Sequence, residues 1–150
     1  MPKETLKARE TAIIQEFDAL PDVDAKYAHL FKLAEALPAM DPSLKTDVNR
    51  VQGCQSTLWF HLNCRGGTIH LAAESDSLVI KGIASLLIRV LDGATPVDVQ
   101  HLNMDFIDQL HIWKLPSKRN NGLMAMLDHI QSQAEDCQRS AKQKLEDKNP

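Results

Sequence analysis

Residues 57–71 read TLWFHLNCRGGTIHL. Leu58, Phe60 and Leu62 alternate with Thr57, Trp59 and His61, and beyond the turn CRGG, Ile69 and Leu71 alternate with Thr68 and His70. A period of two puts alternate side chains on opposite faces of an extended strand. Two such runs joined by a glycine-containing turn predict an antiparallel hairpin. Trp59 falls on the face opposite Leu58 and Phe60 and is expected to pack under a helix. His61 and His70 are placed to face each other across the hairpin.

On both sides of this stretch the period becomes helical. A first helix is predicted over about residues 4–19, with Ile13, Phe17 and Leu20 on one face. A second follows Pro21 along Val23, Tyr27, Leu30, Ala34 and Leu37, and stops at Pro38 because proline cannot continue the hydrogen-bond ladder. Residues 38–48 read as a surface loop. A third helix starts near Ser77, carries Val79, Ile83, Leu86, Leu87 and Val90, and ends at Gly93. TPVD then offers Thr95 as N-cap, Pro96 at the first helical position and Asp98 three residues after the cap. A last helix runs from about Asn121 with Leu123, Met126, Ile130, Ala134 and Cys137 on one face. The order predicts an α+β domain, an antiparallel sheet containing a central hairpin and covered by helices. Residues 1–138 are assigned to this single domain and 139–150 to a charged, frayed C-terminal tail.

The chain has 150 residues, 43% hydrophobic and 25% charged, a formal charge of -3 and a pI near 6.0. A domain of this size buries roughly 68–70% of its unfolded surface and needs no metal or disulfide to be stable. The slightly acidic balance lacks the basic footprint of a nucleic-acid binder. The N-terminal MPKETLKARETAIIQEF carries charges throughout, unlike a secretory signal, and GIASLLIRVL at 82–91 is broken by Arg89 and too short to span a bilayer. Neither a nucleic-acid nor a membrane partner is expected. Three cysteines, an odd number, argue against a secreted disulfide framework and suggest a reducing, cytoplasmic compartment.

The chemistry concentrates at RVQGCQSTLW, residues 50–59, where the loop enters the first strand. Gly53 opens turn geometries and close approach for a neighbouring molecule. Gln52, Gln55 and Ser56 put no bulky wall beside the Cys54 sulfur. A sulfur nucleophile needs that reach and lack of shielding; the same residue also suits the plain role of a small half-buried apolar side chain. Cys64, at the hairpin turn beside Arg65, is expected to be an incidental surface thiol, and Cys137 a packing residue. Asp76, in the turn before the third helix, is expected to cap it. Lys81, before Gly82, reads as a solvated face. The cysteines and the six histidines show no close ligand pair of the kind closed zinc sites use, so no metal site is expected.

VQGCQSTLW (51–59) resembles the active-site segment of the SufE family of sulfur-acceptor proteins, a hydrophobic residue followed by x-G-C-Q-S and a short run ending in Trp. ESDSLVIKGIASLL (74–87) is similar to the family's acidic-Ser-Asp turn and apolar helix, and LPSKRNNGLMAM (115–126) to its Arg-x-x-Gly-Leu segment. With Lys26–Tyr27 the likeness runs from about residue 10 to 135. One departure is Lys118, where many members carry a small polar residue before the arginine.

The resemblance implies a SufE/NifU-like fold and a sulfur carrier, with no cofactor bound beyond a transient cysteine persulfide. A SufS-like cysteine desulfurase, which uses pyridoxal phosphate, would hand its persulfide sulfur to Cys54 and be stimulated by the exchange. The carrier would pass the sulfur to a SufBCD-like iron–sulfur cluster scaffold. Gly53, Gln55 and Ser56 would form the partner-facing loop. Arg119 would stabilise the sulfur anion or the partner, or be plain surface charge; Asp76 would tune the loop's mobility. Such a protein is a sulfurtransferase-like activator and not a complete enzyme. The alternative is a metal-binding iron–sulfur scaffold of related fold, using three cysteines; a third reading is a protein–protein adaptor with an incidental thiol.

Overall fold

The computed structural model describes residues 5–53, 56–112 and 121–148. Helix α1 (Leu6–Asp18) starts where the Thr5 side chain accepts the Ala8 N–H, and α2 (Val23–Ala36) where Asp22 accepts the Ala25 N–H. Each side chain satisfies an amide that has no partner inside its helix. α2 ends as Leu37 turns extended, the conformation that a following proline imposes. Segment 38–50 crosses the surface through two short 3-10 turns, Pro42–Leu44 and Asp47–Asn49.

Strands β1 (Leu58–Arg65) and β2 (Thr68–Ser75) pair antiparallel from Leu58↔Ser75 to Arg65↔Thr68, with Gly66 and Gly67 as the turn. Among the described residues they are the whole sheet. Leu58, Phe60, Leu62, Ile69 and Ala73 are buried on its inner face. That face meets α3 (Leu78–Leu91) and α6 (Asn121–Lys148). Between them lie α4 (Pro96–Gln100), with the Thr95–Asp98 capping box in place, and the short α5 (Asp105–Asp108). The α+β architecture with a helix-covered antiparallel hairpin is the predicted one. The helix α6 continues past residue 138, where the sequence reading begins a frayed tail, and its backbone is helical as far as Lys148.

On the outer face one expectation, the facing histidines, is corrected. Trp59 meets the surface loop, with Lys45 Nζ 5.6 Å from the ring centroid, an arrangement in which the ring's negative face attracts the ammonium. His61 lies opposite Ala72 and His70 opposite Asn63, so the two imidazoles are not a directly facing pair. The two-residue turn Gly66–Gly67 pairs Arg65 with Thr68, and that register sets the histidines on a diagonal.

A two-stranded hairpin is marginal in water, and each strand has a row of backbone groups with no strand partner. Here non-strand chain supplies the partners. On β1, Leu58 O accepts the Val51 N–H at 2.9 Å, Phe60 O accepts from His129 Nε2 at 2.8 Å, and Leu62 N donates to Gln133 Oε1 at 2.8 Å. On β2, Ile69 exchanges bonds with Gly93 and Ala94 at 2.8 Å each, and Leu71 N donates to Asp92 Oδ1 at 3.4 Å.

The helices pack closely on the other side. Gly82 of α3 lies so near α2 that an added Cβ would sit 2.7 Å from Leu30 O and 3.2 Å from Leu30 Cβ. Alanine in a helix gains about 1 kcal/mol of propensity over glycine. Overpacking against a backbone carbonyl costs about 1–3 kcal/mol, and the carbonyl cannot rotate aside as a side chain could. Gly82→Ala is therefore expected to lower the melting temperature by a few degrees in a thermal melt; an unchanged or raised value would show that α2 yields freely.

Candidate sulfur-transfer loop

The segment that carries Cys54 is pinned at both ends. The Val51 N–H to Leu58 O bond closes residues 52–57 into a short loop, reinforced by the bridge between Arg50 and Trp59. Val51 is buried and Gln52 and Gly53 are exposed. Gly53 has φ +86, and a Cβ there would contact Ala125 Cβ of α6 at 3.5 Å. Space is adequate, so the positive φ is what calls for glycine; a side chain in that region costs roughly 1–2 kcal/mol. Cys54 and Gln55 lie outside the described residues.

The far side of the loop is tied to the turn between β2 and α3. Thr57 N donates to Asp76 Oδ1 at 3.1 Å, Asp76 N donates to Thr57 O at 3.3 Å, and Ser75 Oγ donates to the same carbonyl at 2.7 Å. Ser75 Oγ also accepts the Ser77 N–H. The cap of α3 is Ser77, whose side chain accepts the Ile80 N–H. The expectation that Asp76 caps this helix is therefore corrected: its carboxylate reaches across to the loop instead, because the adjacent serine already occupies the capping position. Ser56, between Cys54 and this clamp, is half-buried. Thr57 and Ser75, which the sequence reading did not single out, complete the clamp; the signal for them was the paired serines of ESDS.

A second polar network holds the approach to the loop. The buried Asn49 accepts on Oδ1 from His61 Nδ1 at 3.1 Å and Gln133 Nε2 at 2.9 Å, and donates to Leu44 O at 2.8 Å. Since Asn49 Oδ1 and Phe60 O only accept, His61 carries its proton on Nδ1 and His129 on Nε2. Burial pushes both imidazoles below the usual histidine range; for His129 the bond to Phe60 O opposes the shift without cancelling it.

Lys26, of the Lys26–Tyr27 pair, is buried and donates to Leu110 O at 2.8 Å, tying α2 to the segment after α5. Lys81 is not a solvated charge: its Nζ pairs with Glu74 Oε1 at 2.9 Å, with both side chains more than four-fifths buried. Lys118 and Arg119 lie outside the described residues. Cys64 is likewise no incidental surface thiol. Its sulfur is bonded to that of Cys137 across 73 residues, with Cα atoms 6.2 Å apart. The hairpin end of β1 runs alongside α6, which places these two positions within bonding reach. Among the described residues no group of His, Cys, Asp and Glu is arranged to hold a metal ion, and no helix is long and apolar enough to cross a membrane.

Two outcomes follow from this geometry. Asp76→Ala removes the acceptor for the Thr57 amide, a loss of about 0.5–1.5 kcal/mol, and should speed hydrogen exchange at Thr57 while leaving core amides unchanged; unaltered exchange would show that the clamp does not hold the loop. The second concerns pH. Because His61 and His129 resist protonation in the fold, the unfolded chain binds more protons below about pH 6.5, and stability falls with pH through that window. Urea unfolding at pH 7.5 and 5.5 should show a smaller pH effect for His129→Gln than for the parent chain; equal effects would rule His129 out as a source.

Comparison with known proteins places this geometry. A family model described as SufE, Fe-S metabolism associated domain, matches residues 11–134. The chain is 34% identical over 119 residues to a chloroplastic quinolinate synthase of Nicotiana tabacum, covering 78% of this chain and 16% of that one. It is 32% identical over 135 residues to SufE-like protein 1, chloroplastic/mitochondrial, of Arabidopsis thaliana, covering 89% of this chain and 36% of that one. The chain thus spans only a minor part of the length of these relatives. The solution structure of a hypothetical protein from Thermus thermophilus superposes with a TM-score of 0.70 at 25% identity, over 85% of this chain and 94% of that one. A family match over most of the chain, on a shared fold, has one conclusion: the chain belongs to the SufE family and its domain is one associated with iron–sulfur metabolism.

Proposed function

We propose that the protein accepts sulfane sulfur from a cysteine desulfurase onto Cys54 and delivers it to an iron–sulfur cluster scaffold. The observation that carries this reading is the loop: the VQGCQS segment stands between two pinned ends, Val51–Leu58 on one side and Thr57–Asp76 on the other. Fixed posts on either side of a short loop limit where its thiol can be presented to a partner.

The chemistry is an exchange at sulfur. The Cys54 thiolate attacks the outer sulfur of the desulfurase persulfide, the sulfur–sulfur bond there breaks, and the desulfurase leaves as thiolate; Cys54 ends as the persulfide. No net oxidation occurs. Delivery repeats the step with an acceptor thiolate. In this account Gly53, Gln55 and Ser56 face the partner, Asp76 sets the loop's stiffness, and Arg119 offers a cation to the sulfur anion or to the partner, which uses the pyridoxal phosphate. The chain itself binds no resident cofactor, and its action is to let another enzyme turn over. Shelter between turnovers would protect the persulfide from cellular reductants and from oxidation that ends irreversibly.

The competing reading, a metal-binding scaffold using three cysteines, would need Cys64 and Cys137 as free thiolates, and while they are joined to each other neither sulfur is available to a metal. Measured zinc or iron lost on substituting Cys54 would revive it.

Incubation with a desulfurase and cysteine should add one sulfur to the intact mass of the wild type and none to Cys54→Ser. Equal loading in both would discard the assignment. Arg119→Ala should slow loading severalfold at unchanged melting temperature; full-rate loading would remove Arg119 from the site.

A further inference from the structure

We propose that Cys64 and Cys137 form a second thiol site, a reversible redox clamp that fastens α6 to the outer edge of β1. Cys64 stands opposite Ile69 next to the hairpin turn, and Cys137 lies on the core-facing side of α6. Their Cα separation of 6.2 Å is within the span that a disulfide bridges without backbone movement. The pair is half-buried, packed against the core, and forms part of the wall of a groove of about 810 Å³ that Leu62, Val48 and Pro96 also line. The groove gives a small thiol or a dithiol reductant a route to the sulfurs, which a core disulfide would lack.

The position gives the bond a consequence. α6 already holds this strand edge through His129 on Phe60 O and Gln133 on Leu62 N. The Cys64–Cys137 bond is a third fastening along the same line, nearer the hairpin tip. At its other end the same helix places Ala125 against Gly53, behind the Cys54 loop. Closing the clamp therefore stiffens the wall on which that loop rests, whatever Cys54 itself does.

The exchange balances with a small-molecule disulfide such as oxidised glutathione. One protein thiolate attacks it and expels a glutathione thiolate; the second protein thiolate attacks the resulting mixed disulfide and expels the other. The two protein thiols lose two electrons and two protons, and the glutathione disulfide becomes two glutathione molecules. A dithiol reductant reverses the process. In a reducing compartment such a bond belongs to the sensing kind, not the structural kind.

The test uses full-length Cys54→Ser, so that only this pair can react, equilibrated in buffers running from reduced to oxidised glutathione. Toward the oxidised end, two alkylatable thiols should disappear together and a non-reducing peptide map should join 64 to 137. The melting temperature should rise by about 5–15 °C, since the bond closes a long loop in the unfolded chain, and amides along α6 should exchange more slowly. The wild type should show the same rise, and Cys64→Ser and Cys137→Ala should each abolish it, which keeps the test open if Cys54→Ser folds poorly. Two thiols that stay alkylatable in every buffer, glutathione left on either cysteine without an internal bond, or a bond that leaves the melting temperature unchanged would each overturn the proposal.

Discussion

A pair of antiparallel strands has two open backbone edges, and this domain depends on closing both, which among the described residues happens without a third strand. Leu58, Phe60 and Leu62 turn their outward groups to Val51, His129 and Gln133; Ile69 and Leu71 turn theirs to residues 92–94. An unmade bond at a buried edge would cost about 1–3 kcal/mol, and several together would cancel a large part of a domain's net stability. The Val51 contribution has a second effect. In completing the β1 edge, it closes the loop that holds Cys54, so the sheet's hydrogen bonding and the loop's anchoring are one feature.

The far anchor works differently. Thr57 and the Ser75–Asp76 turn exchange three hydrogen bonds at the mouth of α3, and Ser77 caps the helix beside them. Adjacent residues divide the labour: Ser75 and Asp76 hold the loop, and Ser77 holds the helix. The turn is a post, and the apolar helix behind it is the footing. Gly82, with no room for a Cβ against Leu30 O, sets how closely that footing seats on α2.

Most of this architecture is legible in residue order because its signals are local. The hairpin follows from alternation on either side of CRGG, and the helices follow from apolar stripes and from caps such as Thr95–Pro96–Asp98. The misreadings involve partners on other elements. Asp76 looks like a cap because it precedes a helix, yet its carboxylate bonds Thr57. Cys64 looks exposed because it flanks a turn, yet α6 passes beside it and presents Cys137. Lys81 looks solvated within an apolar helix, and only the end of β2 shows that Glu74 meets it. Periodicity reports which face of an element is inward; it carries no information on which distant side chain crosses to it.

Seen from the chemistry, the domain is a rigid frame around a short segment that bears one thiol, with a separate cysteine pair on the helix that backs the segment. The most direct test of the carrier account is a pulse and chase with isotopically labelled cysteine as the desulfurase's substrate. Peptide analysis should find the labelled sulfur first on the fragment containing Cys54, and then leaving it for an added cluster scaffold at the rate that the scaffold gains it. Label that never reaches that fragment, or that stays there when the scaffold is supplied, would contradict the account.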